Sequence, residues 1–549
     1  MGKKIVIVGG VAGGATAAAR LRRLNEEDEI IVLEKGEYIS FANCGLPYYI
    51  GGVITNRDAL LVQTVEGMSK KFNLDIRNLS EATSINREEK TITVTKVDTG
   101  ETYEEAYDYA ILSPGARPIV PPFDGLEEAE NVFTLRNIPD TDQIKTWVDE
   151  QKPHHAVVIG GGFIGIEMAE NLAERGIKVK LVELSDQVMG PVDKEMAGYL
   201  HQELRDKRVE LIFQDGVEAF LDRGKKVQLD SGKELVSDIT IMAIGVRPES
   251  ELARESGLEL GERGGIVVDK SLKTSDDAIY ALGDAVEVKD YIQQTPVMVP
   301  LAWPANRQGR LVADHINGKN VAYTGTLGTS VARVFGLTVA ATGNNEKTLR
   351  RLGVTYEAVH VHPASNATYY PGGSPIAMKL IFDPENGNIF GAQAVGRNGV
   401  EKRIDVIATA IKGKLTVEDL PDLELSYAPP YSSAKDPVNV AGYAAMNIIE
   451  GAAEVVHFHE IDEIVREGGT LIDVREAEEY EAGNIKGAQN IPLGELRGRL
   501  EELPKNKPIH VHCQVGLRGY LATRILNNNG FRAINLSGGY KTYTISREM

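Results

Sequence analysis

One pattern, which occurs twice, constrains the fold of this chain more than any other feature. A short apolar strand is followed by a glycine-rich turn, a helix and a second strand that ends at a glutamate. The first copy spans 4–34 and the second spans 156–183, about 150 residues later. Related phrases follow the two copies, AILSPGARP at 110–118 and IMAIGVRP at 241–248. Because this order is that of the βαβ unit, the sequence predicts an α/β protein with two Rossmann-like dinucleotide-binding domains.

The two glycine turns differ in how well they match a dinucleotide fingerprint. The first reads GGVAGG at 9–14 and the second reads GGGFIG at 160–165. Glycines let the backbone approach a pyrophosphate, and the next helix supplies N–H groups and the positive end of its dipole. The second turn satisfies G-x-G-x-x-G, whereas Val11 replaces the middle glycine of the first. A plain glycine turn therefore remains the alternative interpretation, chiefly for the first copy.

Each copy ends in a carboxylate at the position that contacts a ribose. Glu34 lies 20 residues beyond Gly14, and Glu183 closes the second strand of the second copy. A carboxylate there accepts hydrogen bonds from ribose hydroxyls, and it repels the 2′-phosphate of NADP. Glu183 therefore favours NADH over NADPH, although the sequence leaves the strictness of this preference open.

A third motif, together with the two glycine turns, points to one protein family. The phrase TSDDAIYALGDA at 274–285 ends a strand at Asp284, which we expect to be exposed. In this joint order, the motifs resemble those of the flavoprotein pyridine nucleotide-disulfide reductases over about residues 3–445. The resemblance implies that the first unit binds FAD and the second binds NADH. The implied domains are FAD-binding at 1–120 and 250–325, NAD-binding at 121–249 and an α+β dimerisation domain at 326–448. The implied cofactor-binding residues are Gly9, Gly10, Ala12, Gly14, Glu34, Lys35, Asn43, Gly115, Gly160, Gly162, Gly165, Glu183, Gly245 and Asp284.

The first of the two cysteines distinguishes the branch of the family. Glutathione-reductase-like members carry Cys-x4-Cys after the first unit. In this chain the first cysteine is Cys44, and Tyr49 stands where the second cysteine would be. No disulfide can form within this motif, so Cys44 must cycle between a thiolate and a mixed disulfide, persulfide or sulfenic acid. We expect a helix N-terminus to lower the pKa of this thiol and favour the nucleophilic thiolate. An inert buried cysteine is the alternative.

Neighbouring phrases indicate the CoA-disulfide reductase and persulfide reductase branch. The NADH peroxidases and oxidases usually carry a histidine where this chain has Ala12. The phrases SFANC, NATYYPGG and LSYAPPYSSAKDP look like the CoA-disulfide reductases, in which two tyrosines reach the cysteine from the other subunit. The matching residues are Tyr369 and Tyr427, with Tyr370 as an adjacent alternative. A phenol can donate a proton to a leaving thiolate.

Coenzyme A is a polyanion, so basic residues near the first unit are candidate ligands. Arg20 and Arg23 lie three positions apart on the first helix and share a face, and Lys71 is a further candidate. A solvated basic stripe is the alternative interpretation. The full predicted set for the substrate is Arg20, Arg23, Ser40, Asn43 and Lys71.

The second cysteine lies in a separate C-terminal segment. After a connector at 451–460, HVHCQVGLRGYLATRIL places Cys513 at a strand end and Arg518 at a helix start. An arc of backbone N–H groups and the helix dipole would stabilise an anionic persulfide there. This loop, with LIDVRE and LSGGY, resembles a rhodanese domain over 458–549, which implies an α/β fold with Cys513 and Arg518 as catalytic residues. A catalytically silent copy is the alternative.

Composition limits the partners. The formal net charge of −19 disfavours binding to nucleic acid or to a membrane surface, and no apolar run approaches the length of a membrane span. Two cysteines in 549 residues indicate a reducing cytoplasm. We expect a homodimer with small-molecule substrates and no metal site.

The resemblance implies an NADH-dependent flavoprotein that reduces CoA disulfide, CoA persulfide or polysulfide through Cys44, while Cys513 handles sulfane sulfur. The three substrates are not ranked, and sulfur transfer to Cys44 in the same or the other subunit stays open. An NADH peroxidase or oxidase using a Cys44 sulfenic acid is one rival. A sulfurtransferase hub is the other.

Overall fold

A computed structural model describes residues 2–548 as two compact units. One consists of residues up to 184 together with 215–328, and the other consists of 185–214 together with the chain from 329 onward. The segment 185–214 lies inside the range predicted for the NAD-binding domain, although it packs with the second unit.

The first unit contains two parallel sheets that match the two predicted βαβ copies. The first sheet has five strands, in the spatial order Ile279–Ala281, Tyr109–Leu112, Lys4–Val8, Glu29–Leu33 and Asp75–Arg77. In the second sheet, neighbouring parallel strands are Lys178–Glu183, His155–Ile159, Ile239–Met242 and Val132–Thr134. Their central strands, such as Lys4–Val8 and His155–Ile159, carry buried apolar runs, as expected where helices cover both faces of a parallel sheet. The predicted pair of Rossmann-like domains is confirmed.

Helices and small antiparallel sheets complete the first unit. The helices are Ala12–Leu24, Leu46–Gly51, Val65–Phe72, Ile138–Gln151, Phe163–Glu174, Glu251–Glu255 and Ala302–Ile316. The two three-stranded antiparallel sheets are Ser80–Asn86, Thr91–Lys96, Thr102–Ala106 and Val217–Leu221, Lys226–Leu229, Glu234–Val236.

Close contact between two helices of this unit depends on glycine. The helix Ala12–Leu24 packs against Ala302–Ile316, and a Cβ atom at Gly309 would lie 2.4 Å from the carbonyl oxygen of Gly13. The first helix begins at Ala12, so the last three residues of the predicted turn are already helical.

The second unit contains two sheets of different type. One is antiparallel, in the order Ser330–Val334, Leu337–Gly343, Ile389–Gly396, Ile376–Phe382 and Glu357–Val361. The other is parallel, in the order Glu454–Val456, Ala533–Leu536, Ile509–His512, Thr470–Asp473 and Gln489–Asn490. The unit also contains a strand Glu210–Phe213 and the helices Lys194–Asp206, Glu346–Leu352, Val400–Lys412, Pro437–Ile449, Ile461–Arg466, Ala477–Glu481, Leu517–Asn528 and Gly539–Ile545. The α+β dimerisation fold and the α/β rhodanese-like fold are confirmed.

The interpretation of 451–460 as a simple connector is wrong. Residues Glu454–Val456 form the edge strand of the C-terminal sheet, because they pair in parallel with 534–536. Further contacts join this domain to the rest of the second unit, including a bond of 2.9 Å between His457 Nε2 and a Glu357 carboxylate oxygen. The C-terminal domain therefore packs against the rest of the second unit and is not joined to it by a flexible linker alone.

Candidate functional site

The two glycine turns have the same geometry. Gly9 has φ 98° and Gly160 has φ 102°, which lie in the region that only glycine adopts freely. A Cβ atom at Gly14 would lie 1.9 Å from the Gly9 oxygen, and one at Gly165 would lie 1.9 Å from the Gly160 oxygen. Glycine is thus required at both ends of each turn, and the first turn keeps this geometry despite its central Val11.

The two predicted ribose carboxylates also hold the turns in place. Glu34 accepts a hydrogen bond of 2.8 Å from the backbone N–H of Gly10, and Glu183 accepts one of 2.7 Å from Gly161. The second Glu34 oxygen accepts from the N–H of Gly36 at 2.8 Å. Each carboxylate therefore lies at the mouth of its turn, where the ribose next to a bound pyrophosphate would be located.

The phrases that close the two copies meet in the structure. The strands Ala116–Pro118 and Val246–Pro248 pair in an antiparallel ladder. They begin just after Gly115 and Gly245, whose φ angles are 79° and 116°. Lys35, at the end of the first copy, lies on the surface and pairs with Glu249 at 3.4 Å.

Asp284 differs from its expectation. It lies in a 3-10 turn, Gly283–Ala285, and is half-buried, so the prediction of an exposed residue is wrong. Burial raises the pKa of its carboxyl, and Arg136 opposes this rise. The adjoining turn is fixed by a bond of 2.7 Å from the Gly283 N–H to Gln308.

Cys44 lies in a 3-10 turn, Asn43–Gly45, ahead of the helix Leu46–Gly51. Its side chain is exposed and forms no disulfide. The expected lowering of its pKa is wrong for this chain. Loss of water around the thiol raises the pKa of Cys44, and the negative charges of Glu167 and Asp284 raise it further. The helix that follows has only six residues.

The neighbours of Cys44 fit a bound group. Ser40 has φ 44° and donates its N–H to the Gly10 oxygen at 3.1 Å, which brings this segment to the first glycine turn. The side-chain oxygen of Asn43 is buried without a protein partner among residues 2–548. A buried acceptor with no protein donor is a place for a ligand donor, so the glycine cradle and Asn43 fit a flavin nucleotide.

Glu167 is a residue of this site whose role the sequence did not reveal. It lies on the helix Phe163–Glu174, and burial followed by the charge of Glu170 raises its pKa to about 7. The hydroxyl of Tyr48 hydrogen-bonds to it and opposes that rise. Its position two residues after Gly165 is the only sequence signal, and that signal does not show that it faces Cys44.

The predicted basic ligands of the substrate separate into two groups. Arg20 donates to Asp314 through Nε at 2.9 Å and Nη2 at 2.7 Å, so its guanidinium already has a carboxylate partner. Arg23 and Lys71 both lie over the ring of Phe72, at 5.9 and 5.4 Å from its centroid. The structure brings Arg23 and Lys71 together and commits Arg20 to a different contact.

The two predicted tyrosines form a pair in the second unit. The hydroxyl oxygens of Tyr369 and Tyr427 lie 2.8 Å apart, and both side chains are exposed, at 75% and 46%. This bond is the main cause of a raised pKa at Tyr427. Tyr370 also lies on the surface, at 42% exposure, but the bond to Tyr427 is made by Tyr369.

Cys513 lies in a tight loop of the C-terminal sheet. Its side chain is 1% exposed, and its sulfur accepts a hydrogen bond of 3.2 Å from the N–H of Gly516. Gly539 closes the loop, since a Cβ atom there would lie 2.5 Å from the Cys513 oxygen. The Gly516 amide of the expected arc therefore points at this thiol.

Arg518 is held by a partner that was not among the predicted residues. Its two terminal nitrogens donate to both oxygens of Glu479, at 2.6 and 2.7 Å. Arg475, 2% exposed, binds Asp473 and Gln514 behind the loop. The segments 471–476 and 479–484 contain Asp473, Arg475 and Glu479. Their spacing in the sequence does not reveal that Glu479 pairs with Arg518.

A cluster of three carboxylates in the second unit has an internal cation. Oxygens of Asp193, Glu195 and Glu346 lie close enough to hold a metal ion. The buried ammonium of Lys379 lies among them, at 2.9, 2.5 and 2.7 Å. Lys379 thus supplies the positive charge that these carboxylates need.

Three family profiles match this chain. Residues 3–302 match the profile described as pyridine nucleotide-disulphide oxidoreductase. Residues 329–437 match the dimerisation domain of that family, and 458–546 match the rhodanese-like domain. Within residues 2–548, every helix is too short or too polar to cross a bilayer.

Several similar proteins have known functions or structures. A coenzyme A disulfide reductase of Staphylococcus haemolyticus is 36% identical over 447 residues, which cover 81% of this chain and 100% of that protein. The crystal structure of reduced Bacillus anthracis CoADR-RHD has 63% identity and a TM-score of 0.99, covering 100% of this chain and 98% of that one. An NAD-dependent persulfide reductase from A. fulgidus has 37% identity and a TM-score of 0.91, covering 98% and 100%.

Proposed function

Because this chain belongs to the pyridine nucleotide-disulphide oxidoreductases, we propose that it uses NADH to reduce CoA disulfide, CoA persulfide or polysulfide. Cys44 carries the reductive chemistry, and Cys513 carries sulfane sulfur. One observation carries the proposal. Cys44 is a single exposed thiol in the unit that contains both dinucleotide turns, and the other cysteine lies in a separate rhodanese-like fold.

The cofactors would be held by the residues described above. Gly9, Gly14 and Glu34 would bind the nucleotide part of FAD, with Asp284 at its ribitol. Gly160, Gly165 and Glu183 would bind NADH. Together the two bound groups supply the electron pair that reduces a sulfur–sulfur bond at Cys44.

The protein's own residues perform the thiol exchange. The Cys44 thiolate attacks a sulfur of R–S–S–R′ and forms a mixed disulfide, while the other half leaves as a thiolate. Tyr427 donates a proton to a departing thiolate, and Tyr369 orients its hydroxyl through the 2.8 Å bond. A phenol is protonated at neutral pH, and the bond to Tyr369 raises the pKa of Tyr427 further.

The tyrosines act across a dimer in this proposal. They belong to the second unit and lie exposed within the region that matches the dimerisation profile. A homodimer would let the pair from one subunit serve Cys44 of the other. The free state of both cysteines fits a reducing cytoplasm.

The test is NADH oxidation by the full-length protein with CoA disulfide, CoA persulfide and hydrogen peroxide. The proposal predicts turnover with the CoA substrates that Cys44→Ser abolishes. Turnover with peroxide alone would assign the protein to the peroxidase rival. Cyanide-dependent sulfur transfer, with no NADH turnover on any substrate, would favour the sulfurtransferase hub.

A further inference from the structure

The helix that follows Cys513 presents an apolar ridge to solvent. Leu517 and Leu521 lie one turn apart on the helix Leu517–Asn528, and their side chains are 66% and 46% exposed. Residues four positions apart lie on the same helix face, one above the other. The ridge therefore starts at the mouth of the Cys513 loop and runs along the helix.

The ridge ends in a cationic pocket. This pocket has a volume of about 350 Å³, within the size range of small-molecule sites, and Arg497 and Arg524 are its charged residues. The side chain of Arg524 donates to the carbonyl of Ala452, which carries no formal charge. None of the described lining residues is acidic. The pocket is lined by Leu493, Arg497, Leu521, Arg524, Ile525, Asn528 and Asn529.

The charge at the pocket contrasts with that at the thiol itself. The arginines that flank the Cys513 loop are each paired with a carboxylate, Arg518 with Glu479 and Arg475 with Asp473. The guanidinium groups beside the thiol are therefore neutralised by carboxylates. Those of Arg497 and Arg524 in the pocket face no acidic lining residue and are available to an anion. The binding charge lies away from the reacting sulfur.

The helix sets the length that a ligand must span. It rises about 10 Å from Leu517 to Arg524, the charged pocket residue on this helix, and about 16 Å to Asn528 at the far end of the pocket. A ligand that reaches both ends needs a terminal sulfur, a long arm that tolerates leucines, and an anionic head. We infer that this groove binds the persulfide of a nucleotide-linked thiol of the coenzyme A class. The inference rests on the proposed function and adds a second site for that class, separate from Arg23 and Lys71.

The reaction at this site balances without a further reactant. The Cys513 thiolate attacks the outer sulfur of R–S–SH, and the bond between the two substrate sulfurs breaks. The products are Cys513–S–SH and R–S⁻, and the departing thiolate then takes up the proton that the Cys513 thiol lost when it ionised. Sulfur moves from one thiol to the other with no net oxidation or reduction.

The test measures how fast Cys513 acquires one sulfur, by mass spectrometry of the full-length, FAD-loaded protein. The Cys44→Ser background removes the competing thiol. The probes are CoA persulfide and cysteine persulfide, which share the reacting group but differ in arm and head. Arg497→Ala is expected to slow loading from CoA persulfide about tenfold, because one charge-assisted contact is lost. Loading from cysteine persulfide is expected to stay unchanged, which also shows that the domain is folded.

Arg499→Ala is the matched control, since Arg499 lies two residues away, pairs with Glu495 and Glu502, and does not line the pocket. It is expected to change neither rate. Equal rates for Arg497→Ala and the parent with CoA persulfide would overturn the inference, as would equal slowing with both probes. NADH turnover of CoA disulfide by the protein without these changes tests the proposed function separately, so the two failures are distinguishable.

Discussion

The two cysteines of this chain lie in opposite environments. The Cys44 side chain is exposed beside a short helix, and loss of water around its sulfur, followed by the charges of Glu167 and Asp284, raises the pKa of the thiol. Cys513 is buried, and its sulfur accepts a backbone N–H within a loop braced by the ion pair of Arg518 and Glu479. Neighbouring carboxylates disfavour an anion, whereas an arc of amides favours one.

This contrast indicates a division of labour. The Cys44 thiolate is not stabilised by its surroundings. This suits a site where the tyrosine pair transfers protons during thiol–disulfide exchange. A thiol inside an anion-binding loop suits storage of a persulfide, which is more acidic than a thiol and is held as an anion. The same side chain can thus serve two steps of sulfur chemistry because its surroundings differ.

The largest expected effect appears when the Cys44→Ser and Cys513→Ser variants are compared. Cys44→Ser should lower NADH-dependent reduction of CoA disulfide at least ~1000-fold, because no other thiol lies in that unit. It should keep bound FAD, as judged by the visible absorption spectrum. Cys513→Ser should leave the same rate within about twofold. If Cys513→Ser stopped NADH oxidation with every substrate, the two thiols would form one obligatory relay.

The tyrosine pair should show the next largest effect. Tyr427→Phe removes the donated proton and should lower the rate of CoA disulfide reduction about 100-fold, at the lower end for general acids. Tyr370→Phe is the control and should change little, because Tyr369 is the residue bonded to Tyr427.

Heterodimers show in which subunit the tyrosines act. Mixed dimers of Cys44→Ser and Tyr369→Phe/Tyr427→Phe chains should recover activity, since one hybrid site keeps all three groups. Verified heterodimers without activity would show that the tyrosines serve their own subunit or lie outside the site.

Nucleotide preference should respond more modestly. Glu183→Gln keeps an acceptor for the Gly161 N–H but removes the charge that repels a 2′-phosphate. The ratio of kcat/KM for NADH to that for NADPH should fall about tenfold, because a like-charge repulsion is lost. Glu34→Gln, its counterpart in the first copy, should leave that ratio unchanged in the FAD-loaded fraction. A wild-type preference for NADPH would contradict the assignment of Glu183.

The smallest effect concerns the pH dependence of Cys44. Glu167 has a pKa of about 7 and becomes negative above that pH, and its charge raises the pKa of Cys44. Glu167→Gln should therefore lower the pKa of Cys44 and move the rise of its alkylation rate by iodoacetamide to lower pH. Glu174→Gln, at the exposed end of the same helix, should leave the profile in place. A profile that stayed put, or moved to higher pH, in Glu167→Gln would rule out this role of Glu167.

The sequence predicted what repeats or recurs locally. The paired glycine turns, the carboxylates that close them and the loop around Cys513 are short segments whose spacing carries the geometry. Contacts between distant segments could not be predicted in this way. The pairing of Arg20 with Asp314, of Arg518 with Glu479 and the approach of Glu167 to Cys44 depend on how helices pack.

Two expectations failed for the same physical reason. Burial of Asp284 and the raised pKa of Cys44 depend on the surrounding tertiary structure, whereas the sequence shows only that each follows a strand or precedes a helix. The segment 451–460 has the composition of a linker, but pairing with 534–536 makes part of it a strand.

The most direct test of the two-thiol account is to find where each part of the substrate attaches. The FAD-loaded protein, with both cysteines as free thiols, is mixed with CoA disulfide or with cysteine persulfide without NADH, and tryptic peptides are analysed by mass spectrometry. The account predicts coenzyme A in disulfide linkage on the peptide of Cys44 and a single added sulfur on that of Cys513. Coenzyme A bound to Cys513, or added sulfur retained on Cys44 but absent from Cys513, would contradict it.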